Sequence, residues 1–152
     1  MMYSKAKVRF AMVDQKFSVA VHIMTVLAFE KCENGNLYTS ELLARSVRTN
    51  PTVVRRLVAK LVDSGVLKSY KGKSGGVELA KCPSEISLSD IYESVCCDKK
   101  LLYAPARKAH KACPTSRSMG KLMTDVIEGF EENSRKYLAG IKLQDLAKQV
   151  EA

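Results

Sequence analysis

The stretch from residue 48 to residue 79 leaves this chain few ways to fold. Asn50 followed by Pro51 is a helix start. Asparagine is among the best N-caps, and a proline at the first helical position gives up an N–H that has no partner there. Gly65 ends the helix that follows. Residues 66–70 and 77–79 then read as short strands joined by the basic, glycine-rich turn Lys71-Gly72-Lys73-Ser74-Gly75-Gly76, which makes a hairpin. On the helix, Leu57, Val58, Leu61 and either Val53 or Val54 form the inward face. Thr52, Arg55, Arg56, Ala59 and Lys60 form the outward one.

The flanking segments complete a mainly helical chain. Phe17, Ala20, Val21, Met24, Leu27 and Ala28 recur at spacings of three and four and predict a helix over 16–31, followed by a turn at Glu33-Asn34-Gly35-Asn36. A helix over 40–47 is capped by Thr39 or Ser40, with Glu41 in its first turn. Ser87 or Ser89 opens another, with Leu88, Ile91, Tyr92 and Val95. Residues 96–114 are irregular, and a long helix runs over 115–138. Along it Met119, Met123, Val126, Phe130, Asn133 and Tyr137 alternate at four and three residues, a seam of coiled-coil type widened by Leu122 and Ile127. Such a seam needs a partner surface: a second copy of itself, or the first helix of the same chain. A short helix over 143–150 closes the sequence.

The order helix, turn, helix with an outward arginine pair, basic hairpin is that of a winged helix-turn-helix. The fold class expected is therefore mainly α with a small β-hairpin, a winged domain plus a long dimerisation helix. Its parts are an extension over 1–13, the winged domain over 14–95, a sensor-type loop over 96–114 and dimerisation and C-terminal helices over 115–152. The extension carries Lys5, Lys7 and Arg9, which form a basic arm unless Met12 is the true start. It lacks the apolar centre of a secretory signal, and no apolar run reaches the roughly 18 residues of a membrane span. A cytoplasmic protein without membrane contact is expected.

Charge placement argues for double-stranded DNA as partner. The formal net charge is +9. Between Arg45 and Lys81 the bases Arg48, Arg55, Arg56, Lys60, Lys68, Lys71 and Lys73 are opposed only by Asp63 and Glu78. A second basic run, from Lys99 through Lys121, contains no acid, whereas residues 125–132 are acidic. A helix fits the major groove and its N-terminal residues reach base edges, where arginine pairs with guanine and asparagine with adenine. Arg48, Thr49, Asn50, Thr52, Arg55, Arg56 and Lys60 are the candidate contacts on the helix side; Lys71 and Lys73 are those of the wing, set for phosphate or the minor groove. No enzyme is expected. His22 and His110 lack a nucleophile and an orienting partner at a workable spacing, and residues 72–76 lack the helix that a nucleotide-binding glycine loop requires.

The run Gly72-Lys73-Ser74-Gly75-Gly76-Val77-Glu78-Leu79, followed by Ile86-Ser87-Leu88-Ser89-Asp90-Ile91, resembles the wing and following helix of the bacterial Rrf2 family. Phe17-Ser18-Val19-Ala20-Val21-His22 and the segment from Thr49 to Leu57 are similar to it as well, so the likeness spans roughly residues 13–148. The resemblance implies a homodimer whose long helix crosses onto the partner, and repression or activation at a palindromic operator. Repression is the reading adopted.

Several relatives hold an iron–sulfur cluster on three closely spaced cysteines. Here Cys96 and Cys97 are adjacent and Cys113 is distant, a spacing unsuited to such a cluster, so no cofactor is expected. His110 and Cys113 leave a metal-controlled regulator as an alternative. A thiol switch at Cys96 and Cys97, beside Lys99 and Lys100 and with Cys32 as partner, stands equal with inert packing for the same thiols. A small-molecule effector, or a thiol redox or adaptor protein that binds no DNA, are the remaining readings.

Overall fold

The structure is a computed structural model, and it describes residues 15–31, 36–96, 102–104 and 108–150. The expected N-terminal extension, Cys32 and Cys97 lie outside these residues. Among the described residues, six helices and one hairpin follow in the order α1 (Lys16–Lys31), α2 (Ser40–Val47), α3 (Pro51–Asp63), β1 (Leu67–Tyr70), β2 (Gly76–Leu79), α4 (Leu88–Cys96), α5 (Pro114–Ala139) and α6 (Leu143–Ala147).

Helix α1 is the hub. It packs against α2, α3, α4, α6 and β2, and Ala20, Ile23, Met24, Leu27 and Ala28 are buried along it. The half-buried Phe17 meets Tyr92 of α4 edge to face, with ring centroids 5.5 Å apart. From the other side come Leu43 of α2, then Val54, Leu57, Val58 and Leu61 of α3. Val54 is thus the inward member of the valine pair, and Val53 points out at 38% exposure.

Strand β1 runs antiparallel to β2, with Leu67 opposite Leu79 and Tyr70 opposite Gly76. The ladder reaches back to Val66, whose carbonyl accepts from the Ala80 amide. Tyr38, just before α2, bridges to Val77, which fastens the hairpin to the helix-turn-helix. The chain can double back at the tip for two reasons. Gly72 adopts φ 105, and a Cβ on Gly75 would lie 2.2 Å from the Tyr70 carbonyl oxygen.

Ser87 is the cap of α4. Its amide and hydroxyl donate to the Asp90 carboxylate at 2.8 and 2.7 Å, and the Asp90 amide donates back to its hydroxyl at 3.2 Å. The C-terminal segment is part of the same core. Leu88 donates to the Ile141 carbonyl, Leu143 donates to that of Ile86, and Leu143 is fully buried. Helix α6 therefore packs on α1 instead of extending away with α5.

Helix α5 has 26 residues, about 39 Å of axis. Cys113 caps it, its sulfur accepting from the Ser116 amide at 3.4 Å. Its contact with the rest of the chain is chiefly through α4. Leu138 is half-buried against the core, Ser134 is half-buried, and Arg135 donates to Glu93 at 2.9 Å; Ile127, further back along the helix, is buried as well. The seam residues Met119, Val126, Phe130 and Tyr137 stay exposed, together with Leu122. Met123 is half-buried and Asn133 is exposed. The seam does not fold onto α1.

Candidate nucleic-acid interface

The turn between α2 and α3 is built from short-range physical chemistry. Arg48 ends α2 in the left-handed region, φ 58, and its amide donates to the carbonyls of Ala44 and Arg45. The Thr49 amide reaches the same Ala44 carbonyl at 3.0 Å. Asn50 then caps α3: its Oδ1 accepts from the Thr52 amide at 2.8 Å. That oxygen is engaged in the cap, so reading adenine through both ends of the amide competes with holding the helix start.

Helical geometry sorts the expected contacts. With Val54, Leu57, Val58 and Leu61 turned inward, Thr52, Arg56 and Ala59 lie opposite them and are exposed. Arg55 and Val53 flank this face. Arg56 makes no ion pair among the described residues, and its guanidinium extends into solvent. Arg55 donates instead to Glu41 of α2. Lys60 leans away from the outward face: it is half-buried, and its Nζ donates to the Val95 carbonyl at the end of α4, 3.5 Å away. A cation there complements the α4 dipole. Thr49 is half-buried in the turn, and Arg48 and Asn50 are exposed beside it.

Lys71 and Lys73 stand exposed at the wing tip. On the strand behind them, the Tyr70 hydroxyl donates to Glu78 at 2.8 Å, and that carboxylate holds the Tyr70 phenol above its ordinary pKa. This leaves the Glu78 carboxylate occupied beside the wing's cations. The structure thus groups Arg48, Thr49, Asn50, Thr52, Arg55 and Arg56 along one helix start. The wing presents Lys71 and Lys73, and Lys60 serves the α4 terminus.

Glu41 and Val53 belong to this surface and were missed in the sequence reading as site residues. Val53 was ambiguous with Val54 in the periodicity, since adjacent apolar positions straddle the edge of a helical face. Glu41 read only as a first-turn acid. Its contact is set by the crossing of two helices, which local pattern does not encode.

A short helix before an exposed recognition helix, followed by a hairpin with a cationic tip, defines a winged-helix DNA-binding regulator. The comparisons place it further. A family model described as "Rrf2: Iron-dependent Transcriptional regulator" matches residues 13–149. The chain belongs to the Rrf2 family. It is 29% identical over 135 residues to YwnA of Bacillus subtilis (strain 168), which carries the name of an HTH-type transcriptional regulator. That match covers 89% of this chain and 96% of YwnA. Among solved structures, a transcriptional regulator from Lactobacillus plantarum superposes with a TM-score of 0.71 at 25% identity, over 87% of each chain. IscR of T. potens gives 0.66 at 23% identity, over 92% of this chain and 88% of that one. CymR, the global cysteine regulator of B. subtilis, gives 0.62 at 20%, over 92% and 98%. The last two likenesses concern the fold. The protein is a DNA-binding transcription regulator and not an enzyme.

The family description names iron. Among the described residues no three His, Cys, Asp or Glu side chains converge as ligands. Cys113 is spent on a helix cap, and Cys96 sits half-buried at the end of α4. The described residues do not compose an iron site. Nor is any helix among them long and apolar enough to cross a membrane.

Proposed function

We propose that the protein works in the cytoplasm as a homodimeric repressor on a palindromic operator, without a resident cluster, and that thiol oxidation controls it. The observation that carries the dimer is the apolar stripe on α5. Leu122, Val126, Phe130 and Tyr137 are 45% to 71% exposed along one line, a pattern that water disfavours and that a second copy would cover. A two-fold axis along such a helix sets two α3 helices against two half-sites, and the operator then carries the protein's own symmetry. The thiol reading is supported by Cys96, placed at the junction of α4 and the segment leading to α5. Cys97, adjacent in sequence, and Cys32 are the thiols considered for exchange with it.

A second reading has its own observation. A cavity of about 470 Å3 opens between α1, the segment before α4 and α6, lined mostly by apolar atoms of Ala28, Phe29, Pro83 and Ala147 with Lys148 at its rim. Its size suits a small organic effector. Fluorescence anisotropy on DNA from upstream of the protein's own gene separates the two, using reduced protein and protein treated with a disulfide-forming oxidant. Thiol control predicts tight binding when reduced, lost on oxidation and restored by reductant. Equal binding in both states would overturn thiol control and direct attention to the cavity.

A further inference from the structure

The two arginines of α3 are treated differently. Arg56 is left to solvent, whereas Arg55 donates through Nη2 to Oε1 of Glu41, fourteen residues earlier on α2. Both side chains are more than half exposed, so the pair contributes little to stability in water. The Glu41 carboxyl is nevertheless held below its ordinary pKa, first by its backbone hydrogen bond at the start of α2, then by the Arg55 guanidinium. Helix α2 thus presents a fixed anion. It is the only acid on α2 or in the first turns of α3, since Asp63 lies at the far end of α3. An acid beside a surface that meets phosphates weakens binding to all DNA alike. Its benefit has to lie elsewhere.

We propose that Glu41 is a positioning residue that sets Arg55 to read a base pair instead of a phosphate. The inference rests on the DNA-reader assignment made above. A guanidinium has five N–H donors, and one contact to Glu41 leaves enough for the two parallel bonds that guanine O6 and N7 accept. Held by Glu41, the guanidinium plane is chosen before DNA arrives, so less side-chain freedom is lost on binding. The pair is close to neutral, so it gains little from the bulk charge of the backbone. Its remaining N–H groups still distinguish acceptor patterns on base edges. Glu41 would therefore convert non-specific affinity into selectivity.

The test begins with selection from a random-sequence duplex library by the wild-type protein. Anisotropy then measures the selected duplex, its single-base variants and a scrambled duplex against wild type, Glu41→Gln, Glu41→Asp, Arg55→Ala and the Glu41→Gln/Arg55→Ala double variant. Glu41→Gln should lose preference on the order of tenfold at one base-pair position, the same one at which Arg55→Ala loses it. It should bind the scrambled duplex more tightly, with a salt slope steeper by about one. Glu41→Asp keeps the charge but is one methylene short, and should lose the preference without gaining scrambled-duplex affinity. The double variant should lose no more preference than Arg55→Ala alone. Thermal melts that match wild type keep these effects apart from folding. Unchanged base preference in Glu41→Gln, or a loss at a position that Arg55→Ala leaves intact, would overturn the positioning role. If the wild-type protein selects no sequence at all, the DNA-reader assignment fails first and takes this proposal with it.

Discussion

Arg48 occupies the left-handed region where a glycine usually ends a helix. A side chain there costs about 1 kcal/mol of backbone energy, because Cβ crowds the neighbouring carbonyl. Replacing Arg48 with glycine removes that strain and one cation together. Thermal denaturation of Arg48→Gly should show stability equal to wild type or higher by up to about 1 kcal/mol. Duplex binding by the same variant should weaken for all sequences, with a salt slope shallower by about one. A parallel fall in stability and binding would mean that the side chain supports the turn. The conformation could not be read from the sequence, because Arg gives no left-handed signal of the kind Gly or Asn gives. The Asn50-Pro51 start was legible for the opposite reason: cap and first position are adjacent, and each residue type has one dominant use there. The pairing of Arg55 with Glu41 was hidden, since nothing local links positions fourteen apart on different helices.

At the scale of elements, helix α4 depends on its capping box. Burial works to raise the Asp90 carboxyl, but the Ser87 amide and hydroxyl, followed by Lys81 and Lys142, outweigh it and hold the group below its ordinary range. A carboxyl more acidic in the folded than in the unfolded chain contributes stability at neutral pH, and that contribution is lost as pH falls through the folded value. Asp90→Asn should therefore be less stable than wild type at pH 7 in urea unfolding. The difference should be on the order of 0.5 kcal/mol, because the carboxylate is largely open to water. The gap should begin to narrow as pH falls below about 4, the ordinary aspartate range, and should close only lower still, where the folded carboxyl takes up its proton. A gap constant from pH 7 to pH 3 would mean that the charge of Asp90 does no capping. All eight elements lie where periodicity and punctuation predict them, with small shifts at the ends. Strand β2 begins at Gly76 because that glycine pairs with Tyr70, and α6 ends at Ala147. The destination of α6 was less legible. A five-residue helix has an apolar side in sequence, but only the docking of Leu143 beside Ile86 shows that it belongs to the core.

For the whole molecule, the decisive question is what covers α5. Its two neighbouring stripes divide the labour. Leu138 packs on the protein's own core and Ile127 is buried, while Val126 and Phe130, turned by roughly one residue step from Ile127, are exposed. The heptad-like spacing was visible in the sequence because it is local to one helix, whereas the choice between an internal and an external partner depended on where α1 lies. If the outer stripe is the dimer seam, a charge at its centre should act on assembly and leave the monomer fold intact. Phe130→Glu would place one carboxylate of each copy in an apolar contact, where desolvation and mutual repulsion both oppose association. Sedimentation at micromolar concentration should then show a monomer where wild type is a dimer. Circular dichroism should change little, because Phe130 is not among the residues of the shared core. The effect should reach DNA as well. Two winged domains joined on one operator bind with the advantage of linkage, and separated monomers lose it. Affinity for a palindromic duplex should fall by a hundredfold or more, on the order expected when bivalent contact becomes monovalent, while affinity for a single half-site stays the same. A dimeric Phe130→Glu protein with full operator affinity would exclude this stripe as the seam. The basic surface of α3 and the wing would then have to find its two-fold symmetry elsewhere on the molecule, or act on DNA one copy at a time.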